Sequence, residues 1–392
     1  MTDVARRLRE LRERGLYRRL RLIEGPQGPE VTLAGKPVLL LCSNNYLGLA
    51  EHPLVREAAA AAAIRWGAGA GASRLISGSM EPHRQLEANL AEFKRYEAAL
   101  LFGSGYLANT GVVAALAGAG EVVFSDALNH ASIVDGCRLS RAETFVYRHA
   151  DLEHLDWGLR QAGGRGALIV TDGVFSMDGD VAPLPELLEL ARRHGCRLMV
   201  DEAHATGTVG PGGRGSVAAA GLGGEVDVVV GTLGKALGSY GAYVCADAET
   251  VDFLVNSARP FIFSTAPPPP SIAAATAALE LVGAERVERL RANAAGFRRA
   301  LAAEGLDVAR SSTQIVPIEV GEAEPTMELC EHLLERGVFA QGIRPPTVPE
   351  GSSRLRFTVM ATHQASELER AAKLVGSAAR ERGLAAPPAL AA

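Results

Sequence analysis

The sequence predicts an α/β protein with a large domain on a mainly parallel sheet and a smaller α+β domain after it. Three observations carry that prediction. From about 82 to 282, helical patterns alternate with apolar, β-rich runs at 99–102, 122–124, 167–171, 198–200, 228–230 and 242–245, the rhythm of βαβ units. Polar, glycine-containing clusters follow several of these runs directly, at the strand ends where open α/β sheets build their ligand sites. Beyond 282 the rhythm changes, with strands expected at 315–320, 338–343 and 354–359 and helices at 326–336 and 364–381.

The remaining elements follow in chain order. Val4, Leu8, Leu11, Leu16 and Leu20 give residues 3–22 an arginine-rich, amphipathic helical spacing. A short strand is expected at 38–42, with Asn44-Asn45-Tyr46-Leu47-Gly48 as a loop behind it. Pro53 opens an alanine-rich helix, since proline suits the first helical turn, and the glycines at 67–71 break it. Pro267 to Pro270 punctuate the large domain, and a long alanine-rich helix starts near Ser271. The 392 residues exceed what one core sustains, so about two domains are expected. The expected boundaries are an N-terminal helical arm over 1–40, the large domain over 41–282, the small domain over 283–384 and a disordered tail over 385–392.

Composition narrows the functional class. A net charge of −5 gives no reason to invoke nucleic acid or an anionic membrane. No apolar run reaches the roughly 18 residues that would span a bilayer, and the N-terminus enters charged helix in place of a signal peptide's apolar core. Cytoplasmic localisation is the expectation. The five cysteines lack CxxC spacing, and their odd number argues against a disulfide framework. Asp178 and Asp180 lack an oxygen-rich coordination set, and His149 and His154 lack helical ligand spacing. No metal is expected.

The motifs at the strand ends carry the chemistry. Val200-Asp201-Glu202-Ala203-His204-Ala205-Thr206-Gly207 follows one buried run, and Gly231-Thr232-Leu233-Gly234-Lys235-Ala236-Leu237-Gly238 ends another. An acid, a histidine and a lysine delivered there suit pyridoxal 5′-phosphate (PLP). The lysine forms the Schiff base, and the carboxylate pairs with the pyridinium nitrogen so that the ring withdraws electrons. Only four lysines exist (Lys36, Lys94, Lys235, Lys373), and Lys235 alone lies in a glycine-rich loop after an apolar strand. Gly103-Ser104-Gly105-Tyr106-Leu107-Ala108 opens a helix whose exposed amides suit a phosphate. The same letters satisfy a dinucleotide pattern with Asp126 as the ribose acid, so NAD is the rival cofactor. A nucleotide P-loop fails because Ala236 follows Lys235 where Ser or Thr is needed. His130 either stacks on a planar cofactor and relays protons or is an ordinary loop histidine. Ser176 either donates to a cofactor oxygen or belongs to an Asx-stabilised turn. Arg354 and Arg356 share one face of a strand, where they either clamp a carboxylate or sit solvated on an exposed edge.

With these residues in place, the chain resembles the α-oxoamine synthases. They are PLP-dependent transferases of fold type I, the aspartate aminotransferase-like fold. The likeness runs from about 16 to 380 through Ser43-Asn44-Asn45-Tyr46-Leu47-Gly48-Leu49, Gly105-Tyr106, Asn129-His130-Ala131-Ser132, Gly173-Val174-Phe175-Ser176-Met177-Asp178-Gly179, the Asp201 to Gly207 segment and Thr232-Leu233-Gly234-Lys235. The resemblance implies Lys235 as the Schiff-base lysine and Asp201 as the partner of the ring nitrogen. It implies His130 against the ring, with Ser176 and His204 on its oxygen substituent. Ser104, Gly105, Tyr106 and Thr232 would hold the phosphate. A homodimer with active sites at its interface is implied, in which Ser264 and Thr265 reach the partner's phosphate.

Within the family, Ile343-Arg344-Pro345-Pro346-Thr347-Val348-Pro349-Glu350-Gly351 and residues 68–79 are most similar to the biotin-pathway branch. That likeness implies decarboxylative condensation of L-alanine with pimeloyl-CoA or a pimeloyl carrier protein. Arg356 would meet the alanine carboxylate and Arg18 the distal carboxylate of the acyl chain, with Asn44, Arg344 and Thr347 as further substrate contacts. A glycine C-acetyltransferase or a dual-specificity synthase is the alternative with the same mechanism. A non-catalytic PLP-binding regulator would need an appended DNA-binding segment, for which residues 1–40 are too few.

Overall fold

A computed structural model describes residues 3–308 and 310–385. Residues 386–392 of the expected tail lie outside the described residues. Contacts divide the chain into two compact units, one holding residues 49–176 and 180–287, the other holding 1–48, 177–179 and 288–392.

The first unit is built on a seven-stranded sheet. Its spatial order is Ala98–Phe102, Ala242–Ala246, Val228–Thr232, Arg197–Asp201, Gly166–Asp172, Val122–Asp126 and Glu143–Tyr147. Ala242–Ala246 runs antiparallel to both neighbours, and the other pairings are parallel. Alternation sends Leu168, Val170, Met199, Val228 and Val230 into one apolar cluster, and Ile169, Leu198, Val200 and Val229 into the other. Both faces of the sheet are therefore buried, as parallel sheets require, and the strands read as near-continuous apolar runs. The parallel direction brings Asp126, Asp172, Asp201 and Thr232 to the same edge of the sheet as the last residues of four strands.

The strand Glu143–Tyr147 was not expected. It is an edge strand whose first four residues are not buried. The helix expected from Ser271 is two helices, Pro269–Leu281 and Ala284–Ala303, parted at Val282-Gly283.

The second unit holds two sheets. One orders Ile23–Glu24, Glu30–Leu33, Lys36–Leu40 and Val338–Phe339; the other orders Ile315–Gly321, Ser353–Thr358 and Gln341–Ile343. Three expectations change here. Helix covers only Val4–Glu13 of residues 3–22, because Arg14 ends it and Gly15 takes a left-handed φ of +65°. The single strand expected at 338–343 is two strands, with Ala340 passing the chain from one sheet to the other. Ser353–Thr358 is the central strand of its sheet, so Arg354 and Arg356 are buried and the exposed-edge reading falls.

Two polar clamps inside the first unit fix the loops at the sheet's carboxyl edge. Glu202 leaves its strand directly after Asp201. Its Oε2 accepts from Lys94 Nζ, and its Oε1 accepts from Ser216 Oγ (2.9 Å) and the Val217 amide (2.7 Å). The Lys94 side chain is 2% exposed and also donates to Thr206 Oγ1 and the Arg214 carbonyl. Burial opposes the charge on Lys94, but Glu202 outweighs it and holds the ammonium above its ordinary pKa. Gly215, at φ +106°, lets the backbone pass this carboxylate, since a Cβ there would come within 2.0 Å of Glu202 Oε2.

The second clamp is His149, whose Nδ1 lies 2.9 Å from Asp126 Oδ1 and whose Nε2 lies 2.8 Å from Asp180 Oδ2. Asp126 also accepts from the Leu128 and Ala150 amides, and the His149 ring meets Phe175 edge-on at 4.4 Å. Burial works against the charged ring, but the two carboxylates push its pKa up to about 10.

Two outcomes follow from these clamps. Lys94→Met leaves Glu202 buried without its cation and should lower stability by about 3–5 kcal/mol. Urea unfolding measures this, and adding Glu202→Gln should recover part of the loss. The raised pKa of His149 means that its stabilisation is complete below the unfolded value of 6.5 and is lost as pH rises to about 10. Thermal unfolding between pH 6.5 and 10 should therefore show a fall in Tm that is smaller in His149→Gln.

Candidate active site

The carboxyl edge of the large sheet opens a cavity of about 190 Å³ lined by Gly105, Tyr106, Asn109, His130, Ser132, Asp172, Ser176, Asp201, Ala203, His204, Thr232 and Lys235. Each parallel strand contributes the residues at its end, so segments far apart in sequence meet there. Eight residues expected at a cofactor site lie together in this lining: Gly105, Tyr106, His130, Ser176, Asp201, His204, Thr232 and Lys235.

Lys235 follows the strand Val228–Thr232, and its Nζ lies 2.8 Å from His204 Nε2. The turn behind it depends on Gly238, at φ +60°, where a Cβ would meet the Ala50 amide nitrogen at 2.3 Å. Asp201 is 5% exposed. Its Oδ2 accepts from Asn109 Nδ2 (2.6 Å) and its Oδ1 from the Ala203 amide (2.8 Å). Asp172 pairs with Asp201 in the register of the two strands, and its buried Oδ2 has no hydrogen-bond partner. Burial raises the Asp172 pKa far above the usual carboxylate range, and the Asp201 charge adds to the effect while Lys235 opposes it.

His130 caps the helix Ala131–Ser140, with its Nδ1 2.7 Å from Ser132 Oγ. Burial lowers its pKa; Asp201 acts to raise it and Lys235 to lower it further. Ser104 caps the helix Gly105–Leu116 by accepting from the Leu107 amide at 3.2 Å, and it is not in the lining. Tyr106 turns its hydroxyl to Asp135 at 2.5 Å. Thr232 Oγ1 donates to the Gly241 carbonyl (3.1 Å) and accepts from the Gly234 amide (3.1 Å). Ser264 and Thr265 do not line the cavity; Thr265 is exposed and bridges to Ser73.

The expected substrate contacts belong to the second unit. Arg356, 6% exposed, lies with Nη2 3.5 Å from Tyr46 Oη, and Tyr46 Oη donates to Asn44 Oδ1 at 3.0 Å. Tyr46 thereby joins two residues expected to act together. Arg344 is buried, donating to the Tyr17 carbonyl at 2.8 Å. Arg18 and Thr347 are exposed. Asp178 and Asp180, weighed as a cation site, are an ion-pair partner of Arg354 and of His149 respectively.

Asn109, Ser132 and Asp172 reach the site without having been expected there. Asp172 stood between the expected strand at 167–171 and the motif that opens at Gly173, and pointed at the cavity only once strand register was known. Asn109 sits mid-helix in Gly105–Leu116, where nothing in the sequence separates it from a neutral helical position.

The donor set fits PLP. A lysine amine shares the cavity with a buried carboxylate already oriented by two donors, and the N-terminus of Gly105–Leu116 opens onto the same space. The NAD reading loses its ribose acid, because the Asp126 carboxylate is taken up by His149 and two backbone amides.

Comparison with known proteins agrees. Residues 36–375 match the class I and II aminotransferase family. The 8-amino-7-oxononanoate synthase of Citrifermentans bemidjiense is 55% identical over 98% of this chain and 100% of its own length. That of Geobacter sulfurreducens is 56% identical over 97% of this chain and 99% of its own. Among solved structures, a lysine-to-alanine variant of serine palmitoyltransferase from S. paucimobilis, with a bound PLP–myriocin aldimine, superposes with a TM-score of 0.92 at 34% identity, covering 97% of this chain and 98% of that one. The chain belongs to the class I and II aminotransferase family, in its α-oxoamine synthase branch.

Proposed function

We propose that the protein is a PLP-dependent acyltransferase of biotin biosynthesis. It condenses L-alanine with a pimeloyl thioester, on CoA or a carrier protein, to give 8-amino-7-oxononanoate, the free thiol and CO2. The observation that carries the reading is Lys235 Nζ in one small cavity with Asp201, His130 and His204. The choice of alanine and a pimeloyl group is supported by the synthases that match almost the whole chain at 55–56% identity.

Bound PLP supplies an electron sink for the charge left on the substrate's Cα. The chain's own residues do the rest. Asp201, oriented by Asn109 and Ala203, keeps a proton at the cofactor's ring nitrogen. The amides of Gly105 and Tyr106 would hold the phosphate, with Ser104 capping the same helix, and the Thr232 hydroxyl would turn from the Gly241 carbonyl to join them. His130 would lie against the ring, and Ser176 and His204 would reach its oxygen substituent, since all three line the same cavity. Lys235 anchors the cofactor, removes the Cα proton of alanine and later returns a proton to the product. Its Nζ lies 2.8 Å from His204 Nε2. Arg356, backed by Tyr46 and Asn44, receives the alanine carboxylate, while Arg18, Arg344 and Thr347 serve the acyl chain.

We infer a cytoplasmic homodimer. Among the described residues no helix is long and apolar enough to cross a membrane. Ile64, Ile76 and Phe263 are exposed apolar side chains in the first unit, as a surface meant for another chain would have them. Ser264 and Thr265, beside Phe263, would then complete the partner's phosphate site.

Two measurements test the reading. In Lys235→Ala, thiol release from pimeloyl-CoA with alanine should fall by at least about 10²–10⁴-fold, the range a positioned proton-transfer group supplies. Near-normal turnover in that variant is incompatible with the mechanism. A matrix of amino acids against acyl thioesters should give release, and the product mass of 8-amino-7-oxononanoate, for L-alanine with a pimeloyl group. Preferred turnover of glycine with acetyl-CoA would assign the glycine C-acetyltransferase reaction instead.

A further inference from the structure

A continuous hydrogen-bonded path joins the two groups that would flank the cofactor. Asn109 Nδ2 lies 2.6 Å from Asp201 Oδ2 and 2.9 Å from Ser132 Oγ, and Ser132 Oγ lies 2.7 Å from His130 Nδ1. Asn109, Ser132 and Asp201 are buried, and the His130 ring at the end of the path is exposed, so each proton among the three buried groups has a direction that elementary bookkeeping can assign.

An ionised carboxylate accepts and never donates. Asn109 therefore turns its NH2 to Asp201, and the opposite amide orientation would set two acceptors against each other. The amide nitrogen has two hydrogens, one for Asp201 and one for Ser132 Oγ. Asn109 Oδ1 is left buried without a partner, a cost borne for that orientation. Ser132 Oγ, already accepting from Asn109, has one hydrogen to give, and His130 Nδ1 is 2.7 Å away. The Ser132 amide also points at Nδ1, at 3.3 Å. Two donors converge on Nδ1, which must be unprotonated to receive them.

We propose that Asn109 is a positioning residue that sets the tautomer of His130 through Ser132, so that the neutral ring carries its proton on Nε2 and leaves Nδ1 bare. The assignment divides labour in the site. With Nδ1 engaged and Nε2 protonated, neutral His130 has no free lone pair to accept a proton and acts as a hydrogen-bond donor. Proton removal and return at Cα then fall to Lys235 alone. Burial favours the neutral ring in which this holds.

The kinetic consequence rests on the function proposed above, but the tautomer does not, so the two fail separately. Long-range 1H–15N spectra of histidine-labelled protein, with and without PLP, read the tautomer directly once His130→Gln identifies the resonance. The wild-type protein should show an unprotonated Nδ1 and a protonated Nε2. Asn109→Ala and Ser132→Ala should each shift the ring toward a mixture of the two tautomers. A wild-type ring protonated at Nδ1 would overturn the proposal, as would wild-type tautomer spectra in both variants. In holoenzyme assays Asn109→Ala should lower kcat roughly 10²-fold, because a ring left bare at Nε2 competes with Lys235 for the Cα proton, with the KM for alanine changed far less. Should Asn109→Ala not fold, Ser132→Ala carries the same test, because it removes the hydroxyl donor to His130, the shorter of the two, and leaves the contact between Asn109 and Asp201 in place.

Discussion

The site is organised around two carboxyl groups that end adjacent parallel strands. Asp172 and Asp201 stand in register, both buried, and two negative charges so placed repel each other with little water to screen them. The structure resolves the conflict by giving them unequal surroundings. Asp201 receives the Asn109 amide and the Ala203 backbone, donors that favour a carboxylate. Asp172 keeps one oxygen without a partner, and burial raises its proton affinity. Negative charge is thereby concentrated on the acid assigned to the ring nitrogen.

That asymmetry needs a rigid frame, and residue 202 supplies it. Asp201 faces the cavity, while the next side chain turns into the protein and is held by Lys94, Ser216 and the Val217 amide. A buried ion pair is a weak source of net stability. It is an effective way to prevent rotation, since any displacement of Glu202 breaks several charged hydrogen bonds at once. His149 does similar work nearby. By bridging Asp126 and Asp180 it ties the end of one strand to the loop that follows the next strand in the sheet.

Much of this was legible in the sequence because parallel strands buried on both faces leave long apolar runs, and because their ends gather the polar motifs. Lys235, Asp201, His204, His130 and Ser176 all stood directly after such runs. What escaped lacked that signature. The edge strand Glu143–Tyr147 is largely unburied, and the N-terminal strands Ile23–Glu24 and Glu30–Leu33 are short and interleaved with polar residues. Helical spacing over residues 3–22 persisted through a glycine that the backbone uses to stop the helix. Arg354 and Arg356 alternate as an exposed edge would. Only the pairing of their strand on both sides shows that they are buried.

Asn109 marks the deeper limit. Its importance comes from contacts with a strand-end residue, Asp201, and a residue in the first turn of another helix, Ser132, that lie 92 and 23 positions away. An asparagine inside a helix is ordinarily a mild liability, because its amide competes with the backbone for hydrogen bonds. Here the helix Gly105–Leu116 packs against the sheet, and the amide is turned away from its own backbone toward a carboxylate. The residue is the wrong choice for the helix and the right one for the site. A local preference overridden in a buried position, by a group that leaves one of its own atoms unsatisfied, is where selection for chemistry should be sought. By that criterion the path from Asp201 to His130 belongs to the working parts of the enzyme as much as Lys235 does.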